Sequence, residues 1–268
     1  MILYNGQMMN NNSSLFSSNV ILGTGIFETL TVYHKKAIDL NSHIDRLFLS
    51  LKFFNLHVKS SKQELISQVE YFIKHIDEKK VALRIAVIQS TKNEPADIII
   101  SANHFPYQKE DYERGFKISR SSVIRHSSNP LLYHKTTNYL LNKLELEKAQ
   151  GKGFDEVIFL NEIGAITEGT RSNIFLVCNG NIYTPRTSCG LLEGVTRNKT
   201  INIAKKLGFN VIIDTIPNNF LETCDEAFLT SSLLGIMPIS QIENRKLNRS
   251  TFVITPILLN EINKEASN

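Results

Sequence analysis

The sequence predicts an α+β / α/β fold in two domains, and three observations carry that reading. The chain has 268 residues, enough for one large or two modest domains with a real core. β-Branched and aromatic runs alternate with segments of helical period through most of its length. One stretch, residues 105–115, combines proline, glycine and charge with little apolar period and separates an N-terminal α+β half from the rest. The expected division is an N-terminal α+β domain at 1–108, an interdomain linker at 109–120 and a C-terminal domain at 121–268.

In chain order, Gly23 to Tyr33 reads as a glycine-led turn into a strand, with a short returning strand at 36–40. Asn41 or Ser42 then caps a helix whose Ile44, Leu47, Phe48 and Leu51 share one face. The capping box Ser61-Lys-Gln-Glu64 opens a second helix to about residue 76, with Leu65, Val69, Phe72 and Ile73 inward. Residues 81–88 and 96–101 are apolar, β-branched strands around a polar turn.

Beyond the linker come a strand at 116–124, a loop closing at Pro130, and a helix to about residue 150. Strands follow at 156–160, 174–177 and 181–183, the last two joined by the tight Asn179-Gly180 turn. Leu191 to Arg197 leads into a helix ending near Lys206, with Gly208 as its stop. Strands at 211–216 and 226–231 precede a Ser231-Ser232 turn and a C-terminal helix.

Composition excludes some classes. A formal charge of +4 carried by scattered lysines gives no basic stripe for nucleic acid, and only a general bias toward anionic substrates. The three cysteines, Cys178, Cys189 and Cys224, are odd in number and lack metal-ligand spacing, so three free thiols in a reducing cytoplasm are expected, with no metal site. The first 20 residues carry an asparagine and serine run where a signal peptide needs an apolar core. No apolar run approaches the ~18 residues of a membrane span.

Two patches carry chemistry: Tyr133-His-Lys-Thr-Thr-Asn-Tyr139 and Ile166-Thr-Glu-Gly-Thr-Arg-Ser-Asn-Ile-Phe175. The first sets Lys135 just ahead of a helix, where an amine withdrawn from water loses proton affinity and can form a Schiff base. The second sets Glu168 beside Gly169, Thr170, Arg171 and Ser172, a rim on which a carboxylate can face a ring nitrogen.

Together these patches resemble the fold-type IV pyridoxal-phosphate enzymes: branched-chain aminotransferases, D-amino-acid aminotransferases and 4-amino-4-deoxychorismate lyases. The resemblance runs from about Gly23 to Pro238. It implies a two-domain fold with a C-terminal β-barrel-like domain bearing helices, a pyridoxal 5′-phosphate cofactor and a homodimer. It also implies that Lys135 carries the cofactor and then serves as acid and base at the substrate carbon, while Glu168 keeps the pyridine nitrogen protonated. Arg46, in His43-Ile-Asp-Arg46, matches the family's phosphate ligand, and Gly194-Val195-Thr196 with Ser232 completes a phosphate cup. Tyr139 matches the tyrosine that approaches the cofactor's phenolic oxygen, or else is a core aromatic. Arg84 either binds a substrate carboxylate or projects from the wet face of its sheet. Arg171 belongs to the rim, and Thr24 stands in Gly23-Thr24-Gly25 where many members have Gly-Asp-Gly. Taken singly, Lys135, Glu168, Arg46, Thr196 and Ser232 are also ordinary surface, turn or capping residues.

Residues 129–139, with Pro130-Leu131 and His134 before Lys135-Thr136, look most like the lyases; branched-chain enzymes have Lys-x-x-Gly-Asn-Tyr here. The expected reaction is release of pyruvate and 4-aminobenzoate from aminodeoxychorismate. A branched-chain or related transaminase and a non-catalytic scaffold of the same fold stand as alternatives.

Overall fold

The computed structural model describes residues 2–9, 23–89 and 94–267. Most of the asparagine and serine run, at 10–22, and the centre of the polar turn, at 90–93, lie outside the described residues. The chain forms two compact units, 1–106 with 134–139 and 107–133 with 140–268.

The first unit is built on a six-stranded antiparallel sheet. Its strands are β1 (Ile2–Tyr4), β2 (Gln7–Met9), β3 (Gly25–Tyr33), β4 (Lys36–Ala37), β5 (Lys80–Ile88) and β6 (Asp97–His104). Their order is β2-β1-β6-β5-β3-β4. Helices α1 (Leu40–Phe53) and α2 (Lys62–Lys74) cover one face. Ile44, Leu47, Leu51, Leu65, Val69 and Phe72 pack there against Ile26, Leu30, Leu83 and Ile85. The capping box is present, with Ser61 N–H donating to Glu64 and Glu64 N–H donating to Ser61 Oγ.

Two local expectations change. The strand at 36–40 stops at Ala37, because Leu40 already begins α1, and the helix is preceded by Asp39 in the left-handed region (φ 55°) rather than capped by Asn41 or Ser42. The β1–β2 hairpin was not expected. Its signal is Asn5-Gly6, whose positive φ angles (46° and 82°) suit a two-residue turn.

In the second unit, the segment expected as a linker is ordered as α3 (Lys109–Arg114) and the start of β7 (Phe116–Arg125). Its exposed charges still find partners: Arg114 makes two bonds to Asp155 (2.7 and 2.8 Å), and Asp155 also accepts from Lys117 N–H. Next come α4 (Leu140–Gln150), β8 (Glu156–Asn161), β9 (Ile166–Gly169), β10 (Asn173–Cys178), β11 (Asn181–Pro185), α5 (Val195–Lys206) and β12 (Val211–Asp214). The chain finishes with α6 (Phe220–Thr223), β13 (Glu226–Ser231), β14 (Gly235–Ile242), β15 (Arg245–Lys246) and α7 (Ile254–Ser267).

The sheet order is β12-β11-β10-β13-β14-β7-β8-β9, with β15 on β14. Both faces are buried: on β10, Ile174 and Leu176 join one core, Phe175 and Val177 the other. This explains the unbroken apolar run at 174–177. Strand β14 was missed because Pro238 reads as a stop, yet it sits inside the sheet opposite Phe228. Register shifts interrupt β14–β7, β7–β8 and β8–β9. Such bulges re-aim side chains. On β7 the shift between Arg120 and Ile124 leaves Ile124 exposed and Arg125 buried.

Candidate active site

Within the first unit, the lysine segment is stitched along the open edge of β3. Phe27 N–H donates to the Lys135 carbonyl (2.8 Å), and Thr137 N–H donates to the Gly25 carbonyl (2.9 Å). The Thr137 hydroxyl also donates to Gly25 O, and Asn138 Nδ2 donates to Gly23 O at 2.9 Å. This approach requires glycine at 25, where a Cβ would lie 2.9 Å from the Val87 carbonyl and 3.2 Å from Thr137. His134 turns the other way, onto α1, with Nδ1 2.9 Å from Ser50 Oγ and its ring against Phe53 and Phe54. Burial lowers its pKa.

Lys135 Nζ lies 4.5 Å from the centre of the Phe27 ring, and Tyr139 meets that ring edge-on at 5.8 Å. The Arg84 guanidinium is 5.2 Å from the same ring. Arg84 is therefore on the wet face of the sheet, opposite the helices, against the same ring as the lysine amine. Thr24 is exposed, and its carbonyl accepts from Gln89 N–H.

Arg46 is held from the helix side of β3 by a residue that had been given no role. Glu28 is 1% exposed and accepts from Arg46 Nε (2.8 Å) and Nη2 (2.7 Å), and its other contact is His43 Nδ1 at 2.7 Å. Burial opposes its charge, but the Arg46 cation and the His43 and Arg46 hydrogen bonds outweigh burial and hold the carboxyl at about 2. The rival partner Asp45 pairs with Lys62 instead.

Within the second unit, Glu168 on β9 is gripped at both oxygens. Arg125 Nη1 donates to one (2.9 Å), and Asn173 Nδ2 (3.2 Å) and Leu192 N–H (3.1 Å) donate to the other. The turn beyond it is fastened by Glu156, which is fully buried and accepts from Thr170 N–H and the Thr170 and Ser172 hydroxyls. Arg171 lies with Nε 3.9 Å from Glu156 and reaches the Asp155 carbonyl (3.4 Å) and the Tyr107 ring.

Gly194 precedes α5 without a side-chain cap, and no acidic residue occupies the first turn. Val195 is the first helical residue, and Thr196 Oγ1 lies 3.5 Å from Ser232 Oγ. A Cβ at Gly194 would fall 2.0 Å from Asn173 Oδ1. The bare helix start thus presents N–H groups that have no acceptor within the helix, flanked by two hydroxyls, a donor set that suits a phosphate dianion. Each unit thus holds groups of the kinds pyridoxal phosphate needs, the second this donor set and the Glu168 carboxylate, the first the Lys135 amine.

Glu28, Arg125, Asn142, Asn173 and Leu192 escaped sequence reasoning as functional positions. Asn173 stands inside the Ile166 to Phe175 patch and Glu28 is the one carboxylate in the strand led by Gly23, so a signal existed. Arg125 and Asn142 carry no local signature, because a strand-end arginine and a helix-surface asparagine acquire meaning only through their partners.

Fold and site define a fold-type IV pyridoxal-phosphate enzyme. Residues 25–242 match the family described as amino-transferase class IV, and the chain belongs to it. It is 30% identical over 257 residues to the aminodeoxychorismate lyase of Bacillus subtilis, covering 91% of this chain and 87% of that one. It is 29% identical to the branched-chain-amino-acid aminotransferase of Pseudomonas aeruginosa, covering 84% and 78%. Among solved structures, the branched-chain aminotransferase of the archaeon Thermoproteus uzoniensis with norvaline superposes with a TM-score of 0.90 at 28% identity, covering 98% and 93%.

Proposed function

We propose that the protein is a 4-amino-4-deoxychorismate lyase, releasing pyruvate and 4-aminobenzoate in folate biosynthesis. The observation that carries this reading is the lysine segment. Lys135-Thr-Thr-Asn138 lacks the glycine of branched-chain enzymes, and its Thr137 and Asn138 are the residues that seat it on Gly25 and Gly23. Likeness to the Bacillus subtilis lyase over nearly the whole chain supports it. So does Arg84, a cation that shares the Phe27 ring with Lys135 and is suited to a substrate carboxylate.

Bound pyridoxal phosphate supplies an electron sink for charge developing at the amine-bearing carbon. Lys135 would hold its aldehyde, and Glu168 would face its ring nitrogen. Arg46, Val195, Thr196 and Ser232 would hold its phosphate, with Tyr139 near the phenolic oxygen. Lys135 takes the proton from the amine-bearing carbon of the substrate. The bond from the adjacent ring carbon to the enolpyruvyl oxygen breaks, and protonation of the released enol gives pyruvate. The ring left behind is aromatic, so no oxidant or keto-acid acceptor is required. Arg84 orients a carboxylate throughout, and Thr24 and Arg171 are assigned no contact with substrate.

The enzyme acts as a cytoplasmic homodimer in this reading. Leu140, Leu141 and Leu144 are 67, 44 and 44% exposed on one face of α4, an apolar surface that a second copy would cover.

Purified protein loaded with pyridoxal phosphate is expected to form pyruvate and 4-aminobenzoate from aminodeoxychorismate alone. Its violet-edge absorbance band is expected to vanish in Lys135→Ala. Conversion of pyridoxamine phosphate and 2-oxoisocaproate to leucine, without 4-aminobenzoate, would instead establish the branched-chain transaminase. Neither turnover nor a band would establish a non-catalytic scaffold.

A further inference from the structure

Arg125 is a buried cation, 4% exposed, built into a closed circuit around Glu168. Its guanidinium lies 3.7 Å from the centre of the fully buried Phe159 ring. Nη1 donates to Glu168, and Nη2 donates to Asn142 Oδ1 at 3.0 Å. Asn142 in turn donates from Nδ2 to the Thr170 carbonyl at 2.6 Å. One arginine and one asparagine therefore grip both the Glu168 side chain and the backbone two residues beyond it.

The turn has no slack to absorb a change. A Cβ at Gly169 would fall 2.5 Å from Ser172 Oγ and 3.0 Å from Glu156. The second buried arginine nearby, Arg197, makes its hydrogen bonds elsewhere, with Nη2 on the Pro185 carbonyl and Nη1 on Asn198, and reaches Glu168 only through space.

A surface ion pair needs none of this. Planar stacking on an aromatic face, a second hydrogen-bonded anchor and a carboxylate left 12% exposed together describe a charge held in one orientation toward an open side. A proton placed between a carboxylate and a pyridine nitrogen goes to the stronger base. A cation bonded to the carboxylate weakens that oxygen as a base more than it weakens the more distant nitrogen.

We infer that Arg125 is the positioning residue that keeps this proton on the cofactor's ring nitrogen rather than on Glu168, with Phe159 and Asn142 fixing its guanidinium. The inference rests on Glu168 as the ring partner and is independent of which reaction follows.

The test uses holoenzyme carrying pyridoxal phosphate labelled with 15N in the ring, observed by NMR across pH without substrate. Wild type is expected to hold the ring proton. In Arg125→Met the shared proton is expected to move from the ring nitrogen toward Glu168, at least a tenfold change in its partition between the two, read as a 15N shift displaced toward that of the neutral ring. Arg125→Lys, which restores the charge, is expected to recover part of it. An Arg125→Met holoenzyme whose label titrates as in wild type, with only thermal stability lowered, would overturn the inference and leave Arg125 a structural residue. Should Arg125→Met not fold, Asn142→Leu takes its place: a 15N shift displaced toward the neutral ring upholds the inference, and an unchanged shift overturns it. An unchanged label in Glu168→Gln overturns it together with the Glu168 assignment. The aminodeoxychorismate assay is then judged separately.

Discussion

Glu28 and Gly194 show how much a single residue can decide. Glu28 is ionised in the fold with a pKa near 2, against 4.5 in the unfolded chain, because Arg46 and His43 outweigh the cost of burying it. Its contribution is present above pH 4.5 and is lost as pH falls toward 2, and it amounts to roughly 3 kcal/mol. Urea unfolding at pH 5 and pH 3 is expected to show a steep loss for wild type and a flatter one for Glu28→Gln. Equal slopes would mean that Arg46 and His43 find other partners. At Gly194 the backbone is unstrained, so the whole constraint is the missing Cβ, 2.0 Å from Asn173 Oδ1. Gly194→Ala is expected to cost about 1–3 kcal/mol by overpacking. Because Asn173 also bonds Glu168, it is expected to weaken cofactor retention on dialysis, whereas an alanine at the open Gly208 would leave retention unchanged.

Elements were legible where local chemistry and burial agree. The helix α2 carried both its capping box and its inward face in the sequence, and Ser61→Ala is expected to lower stability by about 1 kcal/mol with no effect on cofactor binding. Thermal melts with and without cofactor separate those two effects. The Asn179-Gly180 hairpin was equally plain, with φ of 49° and 74° at its two turn residues. Elements failed where local cues mislead. Charge in 109–114 suggests a solvated linker until Asp155, some forty residues on, supplies the partner that orders Arg114. Pro238 suggests a chain stop, yet β14 continues through it between β13 and β7.

At the scale of the molecule, the proposed cofactor makes a thermodynamic prediction for the whole chain. A ligand that binds only the folded chain stabilises it by mass action, about 2.7 kcal/mol at a hundredfold excess over its Kd. For a chain of this size that corresponds to a rise in Tm of roughly 5–10 °C. Stripping the cofactor is expected to reverse the rise, and Lys135→Ala is expected to forfeit most of it. A Tm indifferent to pyridoxal phosphate in both proteins would contradict the cofactor assignment.

The sequence by itself determined the family, the motif-borne amine and carboxylate, and the elements whose caps, turns and periodicity lie within a few residues of one another. Those features depend on covalent neighbours, which a sequence lists directly. Only the tertiary structure decided that Glu28 binds Arg46 and His43, that Arg125 and Asn142 encircle Glu168, and that 134–139 joins the first unit. Buried charge is tolerated only where a partner stands within hydrogen-bond reach. Here those partners are from 15 to 43 residues apart along the chain, a separation that folding closes and that no local pattern records.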